Sequence, residues 1–145
     1  MKPRSILTLF FILSFTSCNQ TKLSENVPVK WEDSEVKSII DDFFIALGTS
    51  DSTKMNSILS NEFYMFEHDE LWTSEQLTAL MPLTVGREWE VKDLKVKQNG
   101  DLIHVSYFNQ GIIPDDRSWF ESMLIKDYDG TLKIEFMHST KLYLK

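Results

Sequence analysis

Trp119-Phe120-Glu121-Ser122-Met123-Leu124-Ile125-Lys126, then Tyr128-Asp129-Gly130-Thr131, then Leu132-Lys133-Ile134-Glu135-Phe136-Met137-His138-Ser139-Thr140: two apolar, alternating runs separated by Asp-Gly predict two long strands joined by a tight turn. Asp-Gly is favoured there because a short hairpin turn needs positive φ at its centre. In the second strand, His138 shares parity with Leu132, Ile134 and Phe136, which predicts a histidine on the apolar face. In the first, Glu121 shares parity with Trp119, Met123 and Ile125, while Ser122 and Leu124 define a second parity that fits equally well. If Glu121 points inward, it can meet His138 across the strand pair.

Upstream, Ile103, Val105 and Tyr107 alternate against His104 and Ser106, and Asn99-Gly100-Asp101 supplies a turn back to a strand marked by Trp89, Val91, Leu94 and Val96. The apolar parity changes between Val91 and Leu94, which predicts a bulge near Asp93. Gly111 to Ser118, with Pro114 and Asp115-Asp116-Arg117, reads as the loop that enters the closing hairpin. Phe63-Tyr64-Met65-Phe66 is apolar on both parities, as in a strand covered on both faces or wrapped by its partner sheet. Glu67-His68-Asp69-Glu70 follows as a polar turn. Thr73 with Gln76 then fits a capping box that opens a short helix burying Leu77, Leu80 and Met81.

Before the strands, Val36, Ile39, Ile40, Phe43, Phe44 and Leu47 recur at helical spacing, which predicts an amphipathic helix capped by Asp33 or Ser34 and closed by Gly48. A stripe of such large side chains needs a broad surface, most simply a sheet. Asp51 caps a second short helix that buries Met55, Ile58 and Leu59. The order is helix, helix, strand, helix, then four antiparallel strands, an α+β plan.

The chain has 145 residues, 42% hydrophobic and 12% aromatic, enough for one domain with a core. Its formal net charge of -7 repels phosphate backbones and disfavours nucleic acid as a partner. Met1-Lys2-Pro3-Arg4 is a basic start, and Ile6 to Phe15 is an apolar run of about ten residues, too short for a bilayer-spanning helix but proportioned as an export signal. Phe15-Thr16-Ser17-Cys18-Asn19 resembles the lipobox of bacterial lipoproteins, although Phe15 stands where Leu is usual. That resemblance implies cleavage before Cys18, a lipid on its sulfur and a protein held to a membrane of the cell envelope. The alternative is an ordinary secretion signal with an incidental cysteine. Residues 1–17 thus read as a lipoprotein signal peptide, 18–31 as a polar linker and 32–145 as the folded domain.

The order of elements, with three quoted pieces, resembles the nuclear transport factor 2-like superfamily and its SnoaL-like members. The pieces are the helix Val36 to Leu47 followed by Gly48-Thr49-Ser50-Asp51, the strand Glu62-Phe63-Tyr64-Met65-Phe66-Glu67, and the end from Glu121-Ser122 through Lys133-Ile134 to His138-Ser139-Thr140. The resemblance implies a strongly curved, mostly antiparallel sheet wrapped as a cone over the first helix, with two further short helices and a pocket on the concave side. Superfamily members include isomerases, cyclases, dehydratases and non-catalytic binding or dimerisation domains, so the fold alone selects no function. Its isomerases and cyclases commonly use a pocket aspartate. Here Asp93 and Asp101 fall at a bulge and a turn.

The candidate ligand-binding residues are Tyr64, Tyr107, Trp119, His138, Glu121 and Arg117. A carboxylate beside His138 would orient the ring and raise its pKa, making the pair the candidate catalytic group; the bland alternative is a core histidine satisfied by one hydrogen bond. Tyr64 or Tyr107 can polarise a ligand carbonyl, or with Trp119 simply fill the core. Arg117 can grip a carboxylate at the rim, or be a solvated surface residue. No cofactor motif, serine elbow or metal-ligand spacing is present. Three functions follow: an exported lipid-anchored domain binding a small hydrophobic or amphipathic molecule, an isomerase, cyclase or dehydratase using His138 and Glu121, and a homodimerisation or envelope-protein interaction module.

Overall fold

A computed structural model describes residues 30–67, 69–113 and 117–143. Cys18, the signal and most of the linker lie outside the described residues, as do His68 and residues 114–116 of the predicted loop. Helix α1 (Asp33–Thr49) and helix α2 (Ser52–Ile58) lead into strand β1 (Leu59–Glu67) and a short strand β2 (Glu70–Thr73). Helix α3 (Ser74–Leu80) and a 3₁₀ turn (Met81–Thr84) follow, then β3 (Glu88–Asn99), β4 (Leu102–Ile113), β5 (Ser118–Asp127) and β6 (Leu132–Leu142). The sheet order is β2-β1-β6-β5-β4-β3, with β1 parallel to β6 and every other pairing antiparallel. The expected α+β curved sheet over an N-terminal helix is therefore present, and β2 is an addition to it.

The sheet folds over α1 because the apolar stripe of α1 has no other surface broad enough to cover it. Val36, Ile39, Ile40, Phe43, Phe44 and Ala46 are buried, against Ile103, Val105, Tyr107, Met123, Ile125, Ile134 and Met137 from the concave face. Trp31 ties the chain entering α1 to the far end of the sheet: its backbone N donates to Gln98 Oε1 at 3.0 Å and its indole to Asp127 Oδ2 at 3.1 Å.

Both ends of α1 differ from expectation. Glu32 is the N-cap, its backbone N held by Glu35 Oε2 at 3.0 Å, so the helix starts one residue earlier than an Asp33 cap allows. At the other end the helix runs through Gly48, and Ser50 takes the left-handed turn at φ 56° while Asp51 N donates to Ala46 O at 3.0 Å. Gly48 is a close-approach site instead. Thr84 Oγ1 donates to Leu47 O at 2.7 Å and Gly86 N to Gly48 O at 2.9 Å, satisfying carbonyls that a helix end leaves without partners. A Cβ on Gly48 would lie 2.4 Å from Arg87 O. Gly48→Ala should therefore destabilise the domain by about 1–3 kcal/mol in urea denaturation, opposite in sign to the roughly 1 kcal/mol gain of Gly→Ala in an open helix. A gain in stability would show that the 84–87 segment does not press on the helix.

The other local signals hold. Asp51 accepts from Lys54 N at 2.9 Å as the α2 cap, and Thr73 and Gln76 form the capping box of α3. The β3 bulge falls at Asp93, with φ 54° and a register shift between Lys92 and Lys95. Asp129 and Gly130 both have positive φ in the β5–β6 turn, the requirement that Asp-Gly meets.

Candidate functional site

Strand β5 places Glu121 on the concave face, 3% exposed, on the same parity as Trp119, Met123 and Ile125. His138 does not join it. In β6 the partner of Ile125 is Ile134 but the partner of Leu124 is Phe136, so Glu135 is an extra residue and the alternation flips there. Beyond the bulge, Met137 and Ser139 point inward, while Phe136 and His138 lie on the opposite side of the sheet. His138 is exposed beside Thr140, whose Oγ1 is 3.3 Å from Nε2. The expected His138–Glu121 pair is corrected to Ser139–Glu121: these two are register partners, and Ser139 Oγ donates to Glu121 Oε1 at 3.0 Å.

The neighbouring strand β4 presents Tyr107 directly opposite Glu121, and Asn109 next along the same face. Both are buried, Asn109 to 1% exposure. Glu121 Oε2, Asn109 Oδ1 and Tyr107 Oη are each buried without a hydrogen-bond partner among the described residues. Burial raises the Glu121 pKa from 4.5 to about 7; the neighbouring Asn109, Ser139 and Tyr107 side chains oppose the rise, although only Ser139 makes a hydrogen bond of good geometry to the carboxyl, and the negative charge of Glu67 pushes it further up. Desolvation wins because an ionised carboxylate without a cation beside it is expensive in a low-dielectric interior. The same burial, with Glu121 as neighbour, pushes the Tyr107 phenol well above its ordinary value.

Glu121, Asn109 and Ser139 open onto a cavity of about 280 Å³ between the concave face, α1 and the α3 segment. Phe43, Phe44 and Leu47 of α1, Met65 of β1, Leu77 and Leu80 of α3, and Met81 form most of its apolar wall. Trp72, Trp89 and Trp119 add indole rings, and among the described residues Glu67 and Arg87 are the other charged groups on the wall. A second, more open hollow of about 550 Å³ lies beside Gly48, Thr49 and Gly86 and has no buried titratable group among the described residues of its wall. The first cavity is the candidate site, because a mostly apolar concavity with a few buried polar atoms suits small-molecule binding.

Of the other residues singled out in the sequence, Trp119 is on the wall, and Tyr107 is buried next to the carboxyl without being a wall residue. Tyr64 is not in the site. Strand β1 turns Phe63 and Met65 inward, leaving Tyr64 44% exposed on the outer face against Phe136, at 5.1 Å between ring centroids. Arg117 is exposed and away from the cavity wall, and its carbonyl accepts from Gly111 N at 2.7 Å. Asn109, Glu67 and Ser139 were not anticipated as site residues. Extending the inward alternation Ile103, Val105, Tyr107 by one step reaches Asn109, so that residue carried a usable signal.

No model of a known protein family matches the sequence, and no curated protein matches it. Solved structures do. An NTF2-like protein from Cytophaga hutchinsonii superposes with a TM-score of 0.70 at 15% identity, over 78% of this chain and 100% of that one. The fold is that of the NTF2-like proteins. A putative ketosteroid isomerase from Shewanella frigidimarina matches with a TM-score of 0.64 at 17% identity, over 74% of this chain and 96% of that one. The S. rosetta CaMKII hub matches with a TM-score of 0.66 at 13% identity, over 79% of this chain and 100% of that one. These solved structures share a backbone with this chain at identities that speak only to the fold.

Proposed function

We propose that this is a small-molecule-binding domain of the NTF2-like fold, exported and held to a membrane by lipid on Cys18. The observation that carries the binding reading is the buried Glu121–Asn109–Ser139 group on the wall of a mostly apolar cavity. Apolar walls contribute affinity through desolvation, and the polar floor fixes the orientation of whatever enters. Binding is favoured over catalysis because His138, the proposed partner in proton transfer, sits on the other side of the sheet, and Tyr107 is not on the wall. Native mass spectrometry of gently purified protein tests the reading. A bound small molecule, lost on filling the cavity with Ser139→Trp, is the expected result, and equal retention by that variant would place the ligand elsewhere.

The anchor rests on the basic start, the apolar run Ile6 to Phe15 and Ser17-Cys18. Metabolic labelling with a fatty-acid analogue should mark the wild-type protein and leave Cys18→Ala unmarked. An unlabelled wild type would leave a simple export signal.

A second reading, homodimerisation, is favoured by the outer face of the sheet. Tyr64, Phe66 and Phe136 cluster there with centroids 5.1–6.3 Å apart, and Phe108 meets Phe120 at 5.6 Å. Aromatic groups of this kind in the open are characteristic of contact surfaces. Sedimentation of the chain from Trp31 onward should show a dimer at tens of micromolar, and Phe66→Lys with Phe120→Lys should give a monomer. A wild-type monomer at that concentration would remove this reading.

A further inference from the structure

One charged group on the cavity wall stands without a partner. The guanidinium of Arg87, half-buried where the wall meets solvent, makes no ion pair, side-chain hydrogen bond or ring contact among the described residues. Its backbone, by contrast, is fixed. Arg87 N donates to Thr84 O at 3.0 Å, Gly86 N donates to Gly48 O at 2.9 Å, and Arg87 O lies so near the end of α1 that a Cβ on Gly48 would come within 2.4 Å of it. The side chain therefore leaves a rigid lip, close in the chain to exposed Leu83 and to Trp89, and borders both the cavity and the hollow beside Gly48. The carboxyls nearby are otherwise engaged. Glu121 is recessed in β5 with Ser139 Oγ on one oxygen, and burial keeps it partly protonated at neutral pH. Glu67 has a partner of its own and ends β1, which β6, β5 and β4 separate from β3, the strand that Arg87 precedes. In the hollow, Asp41 is held by Lys37 at 2.6 Å, and Glu88 is exposed.

Resting on the reading of the cavity as a binding site, we propose that its ligand is a small amphipathic carboxylate whose head is gripped by Arg87 at the lip. The apolar body lies inward, along Phe43, Phe44, Met81 and Trp89. A half-buried guanidinium has lost part of its water and gains most from an anion that restores its hydrogen bonds, and its planar fork matches the two oxygens of a carboxylate. One fork carries one charge. A monoanion balances it, whereas a phosphate dianion would bring a second charge for which the wall holds no further cation among the described residues. An ammonium head meets Arg87 as a like charge, and an alcohol gains only an uncharged acceptor contact. The floor sets the direction, because the Glu121 carboxyl is a poor neighbour for an anion and keeps the head at the lip while the apolar wall desolvates the rest. The close approach at Gly48 then has a use beyond stability: it holds the backbone from which the gripping side chain extends.

Probes that share one tail and differ in the head separate the possibilities: octanoate, octanol, octylamine and octyl phosphate, titrated calorimetrically into the full-length protein at neutral pH. Octanoate should bind about tenfold tighter than octanol, the factor expected from a charge-assisted hydrogen bond to a partly desolvated guanidinium. Octylamine should bind more weakly than either. Arg87→Met keeps an apolar stem without the charge; it should bring octanoate down to the affinity of octanol and leave octanol itself unchanged, which also shows that the variant is folded. Arg87→Lys, a point charge without the fork, should retain part of the preference. Binding of octanol, octylamine or octyl phosphate as tight as that of octanoate would overturn the carboxylate inference while leaving the cavity a binding site. A preference for octanoate that survives intact in Arg87→Met would likewise overturn it, by placing the head away from the lip. Absence of binding by all four probes would overturn both readings.

Discussion

Phe43→Ala should cost about 3–5 kcal/mol of folding stability. Phe43 is 1% exposed in the middle of the α1 stripe, meets Phe44 edge-on at 5.3 Å and forms part of the cavity wall. Truncation removes its buried area and joins the vacated space to the cavity, so the neighbours cannot collapse to refill it. Domains of this size have only about 5–15 kcal/mol to lose, and the variant should lose much of its thermal margin. Ile45→Ala is the control: two residues along the same helix, Ile45 is 53% exposed and should change stability by less than about 0.5 kcal/mol. Urea denaturation decides, and a cost below about 1 kcal/mol for Phe43→Ala would mean that α1 is not the core of the cone.

The second large effect is a dependence on pH that runs opposite to that of a salt-bridged carboxylate. Glu121 ionises at about 7 in the folded protein, against a reference value of 4.5. Below 4.5 both states hold the proton and the group adds no pH dependence. Between 4.5 and about 7 the folded state holds the proton and the unfolded state has lost it, so stability falls as pH rises. Above about 7 both have lost it and the penalty is complete. At about 1.4 kcal/mol per unit, the loss is on the order of 3 kcal/mol. Glu121→Gln keeps the shape and cannot ionise, so it should flatten this part of the profile and be the more stable protein in mildly alkaline solution. Parallel profiles for wild type and variant would mean that the carboxyl is solvated.

Local chemistry explains what could be foreseen in the fold. The α1 stripe, the Asp51 cap, the Thr73–Gln76 box and the Asp129-Gly130 turn are set by residues near in sequence, and each stands as expected. Which face a strand residue takes is a longer-range property, because one inserted residue reverses everything after it. At Asp93 the insertion was readable, since the inward parity moves visibly from Val91 to Leu94. At Glu135 it was not. Leu132, Ile134 and Phe136 run as a regular apolar alternation straight through the bulge, because Phe136 is an outward aromatic belonging to the Tyr64–Phe66 cluster. The outer aromatics therefore imitated a continued inward face and carried His138 in with them. The same outer cluster explains the misplacement of Tyr64. Glu121 lies on one of two equally good parities, and Ser139, next to His138 in the strand, reads as outward wherever His138 reads as inward. Gly48 illustrates another limit: glycine after an apolar stripe reads as a cap, whereas the backbone of Arg87, thirty-nine positions along the chain, is what excludes a side chain there.

The central claim is that the concave cavity, with Glu121 at its floor, admits a small molecule. Methionine methyl groups report on it directly: Met65, Met81 and Met137 line the cavity, whereas Met55 and Met123 are buried away from its wall. With the methyls isotopically labelled, NMR titration with octanoate and octanol should shift the Met65, Met81 and Met137 signals and leave those of Met55 and Met123 nearly in place. Unmoved signals for all five, at probe concentrations that saturate any millimolar site, would contradict a binding cavity.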